Sequence, residues 1–432
     1  MKYSAAIAAM LLTAAVAGAC TLEEAVEIAL SQRGDVAAAR NEVESARWER
    51  NNARTWFLPR VSATLGYKQD HDIRELILPG LGAIPLETEW ASSYGITAAI
   101  PIVAQGPAGA SMASTALEFA ESSLSAAEQD AVSDVVGAFY SVLLARMMNE
   151  VATEAMEIAR EGYELTSLRY ETGMASRFEL LQSQVAMENR RPDSIAAAAA
   201  LENAAAAFAV SLGYPESETV TVEGDLTDSF PVQLPSSLEE ARTVMSSSSI
   251  ELEMAAAMRK LGDDGVNLAA SSFAPQLLIQ TKYNFEAQVD DITEITADDY
   301  HRNWTVSAAV QVPIVNGLSD YSGYRSARYD RLVYQAQASD IENYSSLGLV
   351  ASWNALEQAR KTVEAAGSTV VQAEEGAQIA QVSYEAGMIT RIEMDGAFLA
   401  LTTARTNYAS ALYSLKTAEA GLARVMGILT IQ

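Results

Sequence analysis

Apolar and polar residues alternate along four short segments of the chain. In the first segment Val61, Ala63, Leu65 and Tyr67 alternate with polar or small residues. A period of two is expected of a β-strand with one apolar and one polar side. The alternation predicts strands at about residues 60–70, 89–100, 276–286 and 302–312.

The length and the ends of these predicted strands indicate where they lie. Each is about ten residues long and has a tryptophan or tyrosine near an end, as lipid-facing strands of transmembrane barrels do. One layer of an ordinary β-sandwich is the alternative, because the signal of a single strand is weak. The strands therefore favour a membrane location without requiring it.

Long stretches with helical spacing follow each pair of predicted strands. From Leu117 to Ala145, apolar residues recur at steps of three and four, which is typical of a coiled-coil seam. The pattern predicts helical hairpins at about residues 105–213 and 317–427, interrupted by glycines near their tips. Pro192 is expected to kink or break the return helix of the first hairpin.

This arrangement occurs twice along the chain. Residues 170–180 read YETGMASRFEL, and residues 384–394 read YEAGMITRIEM, 214 positions later. Self-similarity at a fixed offset indicates a duplicated structural unit. We therefore expect one copy at residues 20–236 and a second at residues 237–432, and an α+β fold in which each copy has a strand pair and a long helical hairpin.

The start of each copy and the join between them carry further local signals. Thr21 with Glu24, and Ser237 with Glu240, have the spacing of a capping box at a helix start. A short helix is expected after each box. Residues 214–236 contain prolines and a Val-Thr-Val run, which predicts a short connector that bears a strand.

The first twenty residues have the features of a signal for export. Residues 1–19 have one positive charge, a short apolar centre and small residues at the end, as a secretory signal does. Cys20, the only cysteine, follows directly, so the chain has no internal disulfide and no cysteine metal site. Lipidation of Cys20 and an ordinary signal cleavage both fit this position.

Net charge and hydropathy limit the partners and the type of membrane span. The formal charge of −27 argues against nucleic acid and anionic headgroups as partners of the surface as a whole. The sequence after the signal has no run of eighteen apolar residues that would predict a transmembrane helix, so a membrane span must use strands. Four strands cannot close a barrel. Two chains would give a small barrel with a filled interior, whereas three would give a twelve-stranded pore, so a conduit favours three or more chains.

Several short motifs resemble those of the TolC family of outer-membrane efflux and secretion channels, over essentially all of residues 21–432. They are Leu22-Glu23-Glu24-Ala25, Phe57-Leu58-Pro59, Ile100-Pro101-Ile102, Val312-Pro313-Ile314-Val315-Asn316-Gly317 and the duplicated Tyr-Glu-x-Gly-Met. The resemblance implies a homotrimer with a twelve-stranded barrel in the outer membrane and an α-helical barrel in the periplasm. It also implies a periplasmic adaptor and an inner-membrane transporter as partners, and a passive exit channel for a tripartite pump or type I secretion system.

The same resemblance assigns site residues at the two hairpin tips. Adaptor contacts are expected at Gly173, Met174, Ser176, Gly387, Met388 and Thr390. A periplasmic gate is expected at Tyr384, Glu393 and Asp395. Three copies of Glu393 around a narrow axis would raise the pKa of each other's carboxyl groups. In the alternative interpretation the glycines only turn the hairpins, and the two acids are solvated residues at a helix start.

The remaining composition bears on enzymatic function. Two histidines, one cysteine and the absence of a glycine-rich phosphate loop predict no enzyme, no cofactor and no metal site. A periplasmic coiled-coil adaptor or spacer is the competing function. Such a protein would be soluble without detergent, whereas a barrel would require it.

Overall fold

The structure is a computed structural model that describes residues 20–71, 75–78, 82–85, 88–217, 220–289, 291, 293 and 295–431, with the backbone only at 75–78 and 82–85. The predicted signal at residues 1–19 lies outside the described residues. The helices are α1 (Leu22–Gln32), α2 (Gly34–Arg54), α3 (Gln105–Glu171), α4 (Arg177–Ser211), α5 (Leu238–Ser248), α6 (Ile250–Ala270), α7 (Ser319–Glu385) and α8 (Arg391–Val425). Short 3₁₀ turns cover Thr55–Phe57, Ser271–Phe273 and Ala297–Asp299.

The described strands form a four-stranded and a two-stranded antiparallel sheet. Their bounds are β1 (Arg60–Gln69), β2 (Glu75–Leu78), β3 (Gly82–Pro85), β4 (Trp90–Ile102), β5 (Gln276–Val289) and β6 (His301–Gln311). The larger sheet has the order β1-β4-β5-β6, and β2 pairs with β3 between β1 and β4, where no strand was predicted. The mostly helical chain with two small sheets confirms the α+β class.

The four-stranded sheet has two chemically different faces. Residues opposite each other in antiparallel strands lie on the same side, so the register fixes the members of each face. The apolar face includes Val61, Leu65 and Tyr67 of β1, Tyr94 and Ile96 of β4, Ile279 and Tyr283 of β5, and Trp304, Val306 and Val310 of β6, all of them exposed. The polar face includes Thr64, Lys68, Thr97, Gln280, Lys282, Thr305 and Ser307.

The long helices match each other in length between the two copies. Helices α3 and α7 have 67 residues each, about 100 Å at 1.5 Å per residue, and α4 and α8 have 35 each. The predicted break at Pro192 is wrong, because α4 runs through this residue without interruption. Pro192 is exposed, so water can solvate the carbonyl group that the proline leaves without a hydrogen bond.

The segment after each helix start is two helices, where the sequence predicted one short helix. Arg33 separates α1 from α2 in an extended conformation, and Ser249 separates α5 from α6 in the same way. Gly213 (φ +89°) lies so close to the end of α1 that a Cβ added to it would be 3.1 Å from the carbonyl carbon of Gln32. Gly427 approaches Ser248 similarly, so each helix break accommodates the end of a long helix.

The capping and connector predictions hold in part. Thr21 and Glu24 form the expected capping box. Ser237 accepts from the Glu240 N–H, but the Glu240 carboxylate accepts from Ser236 instead, so the second box is incomplete. In the connector, Val222 forms one isolated parallel bridge with Cys20 rather than a strand.

The chain forms two compact units that do not coincide with the two sequence copies. One unit contains the segments up to Glu42, Glu121–Ala255 and from Ser339 onward, and the other contains Val43–Ala120 and Ala256–Ala338, including the sheet. The core of the first unit is built around Val135, Phe208 and Leu429.

Two helices qualify as membrane-spanning by length and composition, against the expectation from the sequence. Windows within α3 and α4 pass this test. Both helices are rich in alanine, and inside the protein the α3 window is 44% buried and the α4 window 11% buried.

Candidate functional site

Each helical hairpin turns at its tip through the same backbone motif. At the first tip the N–H of Gly173 donates to the carbonyl of Tyr170, and the N–H of Met174 donates to that of Arg169. Gly387 and Met388 repeat this pattern at the second tip. Both glycines have φ +73°, the left-handed conformation that a Schellman helix end requires. Turning the hairpin is therefore one role of these two glycines.

The second helix of each hairpin starts with a complete capping box. The Glu179 carboxylate accepts from the Ser176 N–H at 2.6 Å, and the Glu393 carboxylate accepts from the Thr390 N–H at 2.7 Å. These backbone hydrogen bonds lower the pKa of both carboxyl groups. Within one chain the pKa of Glu393 is therefore lowered, and the rise expected from neighbouring copies stays a prediction. The contribution of the boxes is present at neutral pH and is lost as the pH falls through the lowered pKa values.

The second tip contains a cluster of aromatic and charged side chains around Tyr384. The Tyr384 hydroxyl accepts from Arg169 Nη1 at 3.3 Å, and the guanidinium carbon of Arg169 lies 5.3 Å from the ring centroid. The Arg391 guanidinium carbon lies 5.7 Å from the same centroid. Arg391 Nε forms an ion pair with Asp395 Oδ1 at 2.8 Å. Tyr384 and Asp395, both predicted site residues, are thus linked through Arg391.

The guanidinium of Arg391 packs against α3 at Gly162, where the absence of a side chain leaves room for it. The Arg391 side chain is only 10% exposed, and a Cβ added to Gly162 would collide with the guanidinium. A cavity of about 320 Å³ adjoins the pair and is lined by Gly162, Tyr384 and Arg391 among others. Burial raises the pKa of Asp395, and the charge of Arg391 opposes that rise. Glu393 fits the solvated alternative, whereas Asp395 does not.

Arg169, Gly162 and Arg391 belong to this cluster but were not predicted as members of it from the sequence. Arg391 belongs to the repeated motif, where Arg177 is its counterpart, and Gly376 is the counterpart of Gly162 at the same offset. A search for glycine and arginine pairs shared by both copies would have found Gly162 and Arg391, but not Arg169, whose counterpart is Ser383. It could not have shown that the Arg391 side chain is only 10% exposed while Arg177 is exposed.

Cys20, the predicted candidate for lipidation, lies in the hydrophobic core. Cys20 is 4% exposed. Its N–H donates to the Thr221 carbonyl at 2.8 Å, and the Cys20 carbonyl accepts from the Glu223 N–H at 3.0 Å. Burial raises the pKa of its thiol to about 11.

We expect the mature protein to carry no lipid on Cys20. Intact-mass measurement of the purified protein should give the mass of an unmodified polypeptide, and labelled palmitate should not be incorporated. Cys20→Ser should accumulate in the membrane to the same level as the original chain. A mass increase of one diacylglycerol that disappears in Cys20→Ser would contradict this expectation.

The sheet has an exposed apolar face, and long helical hairpins follow it. Together these features are typical of proteins that place strands in a membrane and extend from it with helices. The chain belongs to the outer membrane efflux protein family, whose model matches residues 25–214 and 245–428. It is similar to the cobalt-zinc-cadmium resistance protein CzcC of Cupriavidus metallidurans, at 24% identity over 95% of this chain and 91% of that protein. It is also similar to the outer membrane protein TolC of Vibrio cholerae, at 22% identity over 72% of this chain and 71% of that protein.

Solved structures agree on the fold. The CmeC outer membrane channel of Campylobacter jejuni superimposes with a TM-score of 0.79 at 15% identity, covering 94% of this chain and 85% of that chain. The protein is therefore an outer-membrane exit channel for efflux that extends into the periplasm. Its family is one of channel proteins rather than enzymes.

Proposed function

We propose that three copies of the chain close one twelve-stranded barrel, and that their long helices form a tunnel below it. The free edges of the four-stranded sheet are the observation that carries this proposal. Strands β1 and β6 each pair on one side only within the described residues. Unpaired backbone groups cost several kcal/mol each in hydrocarbon, so the edges need partners from other copies.

The unequal environments of the duplicated tips support the same assembly. Arg391 of the second tip packs over Gly162 of the first copy, whereas beyond the adjoining helix backbone no atom of the described residues lies within 4 Å of the Cβ position at Gly376. Arg177, the counterpart of Arg391, is exposed. We infer that Arg177 of one chain packs over Gly376 of the next, which repeats the internal contact between chains.

Chemical cross-linking tests this neighbour contact. In a Cys20→Ser background, Arg177→Cys combined with Gly376→Cys should give cross-linked trimers with a short bis-maleimide in outer membranes. Gly376→Cys combined with Ala207→Cys, at an exposed position of α4, is the matched control and should stay monomeric after denaturation. Only monomers in the test pair, from particles whose measured mass is that of a trimer, would reject the contact while leaving the trimer intact.

The two tips also present a group of exposed apolar side chains. Met174 is 75% exposed, Met388 is 71% exposed, and Phe178 and Ile392 are exposed beside them. Apolar side chains grouped on a polar surface are typical of a protein-binding site. We propose that the tips bind a periplasmic adaptor, which connects the channel to an inner-membrane transporter.

A lysine at the tip is expected to weaken this docking. Met388→Lys places a charge where an apolar contact would form, so cross-linking to the adaptor and dye efflux from cells should both fall severalfold. Thr369→Lys adds the same charge to an exposed position of α7 away from the tip and should change neither. Equal losses in both variants would assign the effect to charge alone and reject tip docking.

We also propose that the Tyr384 cluster keeps the periplasmic end of the tunnel closed. Tyr384 contacts Arg169 of the first hairpin and Arg391 of its own hairpin, so it joins two hairpins that must separate for the tunnel to widen. The ion pair of Arg391 with Asp395 fixes the guanidinium beside the ring.

A further inference from the structure

The apolar face of the four-stranded sheet carries a single charged residue. The register places Arg302 on this face, opposite Phe285, and every other strand residue on the same side is uncharged. A lone guanidinium on a lipid-facing surface is costly at the centre of a bilayer and much less so at its edge. Its depth in the membrane therefore decides what it contacts.

Arg302 lies at the outer edge of the apolar face. It is the second residue of β6, at the strand end opposite to the end where the helices attach. From the pair Leu277–Val310 to the pair Phe285–Arg302 is about 27 Å along the strand, or about 20 Å of membrane depth at the usual strand tilt. In the proposed barrel, whose helices extend into the periplasm, Arg302 would lie at the headgroups of the outer leaflet.

A groove runs along the apolar face and ends at this guanidinium. It has a volume of about 730 Å³ and is lined by Ile96, Ala98, Thr281, Tyr283, Arg302 and Trp304. The small side chains of Ala98 and Thr281, which pair across β4 and β5, form its floor. Trp304 Nε1 donates to Thr281 Oγ1 at 3.0 Å, so the indole N–H is satisfied without water. The groove is thus apolar along its length and cationic at its outer end.

The Arg302 guanidinium is available to a ligand. Among the described residues it forms no hydrogen bond or ion pair. Asp299, the nearest acid before the strand, uses its carboxylate to accept from the N–H and Oγ1 of Thr296 at 2.8 and 2.7 Å. The Tyr300 hydroxyl is likewise engaged with Ser92, at 2.8 Å.

We propose that this groove binds a phosphorylated glycolipid of the outer leaflet, with its phosphate on Arg302 and an acyl chain along the groove. A guanidinium binds phosphate through paired N–H groups, and the apolar groove matches a hydrocarbon chain. The net charge of −27 argues against anionic lipids for the surface as a whole. On this face the local charge is a single positive one, so that argument does not apply here.

Lipid binding to the purified channel tests the proposal. The wild-type protein, delipidated in detergent, is titrated with lipid A bearing its phosphates, with dephosphorylated lipid A and with phosphatidylglycerol, and bound lipid is counted by native mass spectrometry. Phosphorylated lipid A should bind most tightly. Arg302→Gln should weaken it about 10- to 100-fold, the value of a charge-assisted hydrogen bond. Lys282→Gln removes an exposed positive charge from the polar face of β5 and is the matched control.

The outcomes separate the proposal from its alternatives. Equal binding by wild type and Arg302→Gln, or equal binding of phosphorylated and dephosphorylated lipid A, would overturn it. Phosphatidylglycerol bound as tightly as lipid A would overturn the assignment to the outer leaflet. Arg302→Lys, which keeps the charge, should retain the preference for phosphate and serves if Arg302→Gln does not assemble. Particle mass reports the trimer separately, so failure of either proposal is recognisable.

Discussion

Val306→Lys is expected to remove nearly all assembled channel from the outer membrane. Val306 lies in the middle of β6 on the apolar face and is 64% exposed. A lysine on the lipid face near the middle of the bilayer costs about 2–4 kcal/mol, and a trimer would bear this cost three times. The resulting total of about 6–12 kcal/mol, comparable to the whole stability of a typical domain, should prevent insertion. Membrane fractions analysed for trimer by unheated gel electrophoresis give the measurement.

The neighbouring residue supplies the control for this prediction. Ser307 is next to Val306 in the strand but lies on the polar face, opposite Gln280. Ser307→Lys should assemble at the normal level, since its side chain would point into the water-filled side of the barrel. If both variants assemble equally well, or if only Ser307→Lys fails, the assignment of the two faces is wrong.

The two faces of the sheet could be predicted from the sequence because strand geometry has a fixed period of two. Once Val61, Leu65 and Tyr67 are seen to alternate with polar residues, the side to which each residue points follows without tertiary information. The strand order did not follow in this way. The pairing of β4 with β5 joins residues of different copies, and only the structure supplies its register.

The tips show the same division between local and long-range information. The repeated YExGM motif predicts a glycine turn, and the left-handed Gly173 and Gly387 result from hydrogen bonds within a few residues. The role of Glu393 also depends on local contacts, because its carboxylate caps its own helix rather than standing free. The burial of Arg391 depends on a glycine more than two hundred positions earlier in the chain, which no local pattern encodes.

The helix break that was one of the two outcomes expected at Pro192 does not occur, for a related reason. A proline removes one backbone hydrogen bond wherever it stands, but the consequence depends on whether water reaches the freed carbonyl. The exposed position of Pro192 within 35 residues of helix permits this, and α4 remains continuous. Sequence patterns report the local penalty but not the solvent exposure that offsets it.

Arg391→Met is expected to open the periplasmic end of the channel. The substitution leaves Asp395 without its charged partner and removes the guanidinium from the Tyr384 ring. Breaking a buried ion pair by removing one partner costs about 3 kcal/mol at the lower end of the measured range, which suits the partly exposed Asp395. About 3 kcal/mol changes the ratio of closed to open channel about 100-fold. Single-channel conductance in planar bilayers and entry of a large, normally excluded antibiotic into cells give two independent measurements.

Graded variants distinguish the gate contact from a general loss of stability. Gly162→Leu should open the channel as strongly as Arg391→Met, because any added side chain displaces the guanidinium from α3. Tyr384→Phe removes only the 3.3 Å hydrogen bond from Arg169 and should have a much smaller effect. Arg160→Met removes an exposed arginine of α3 that pairs with Glu157 within its own helix, and it should leave conductance unchanged. Normal closure in Gly162→Leu, with the trimer assembled, would show that the contact of Arg391 with α3 does not hold the tunnel shut.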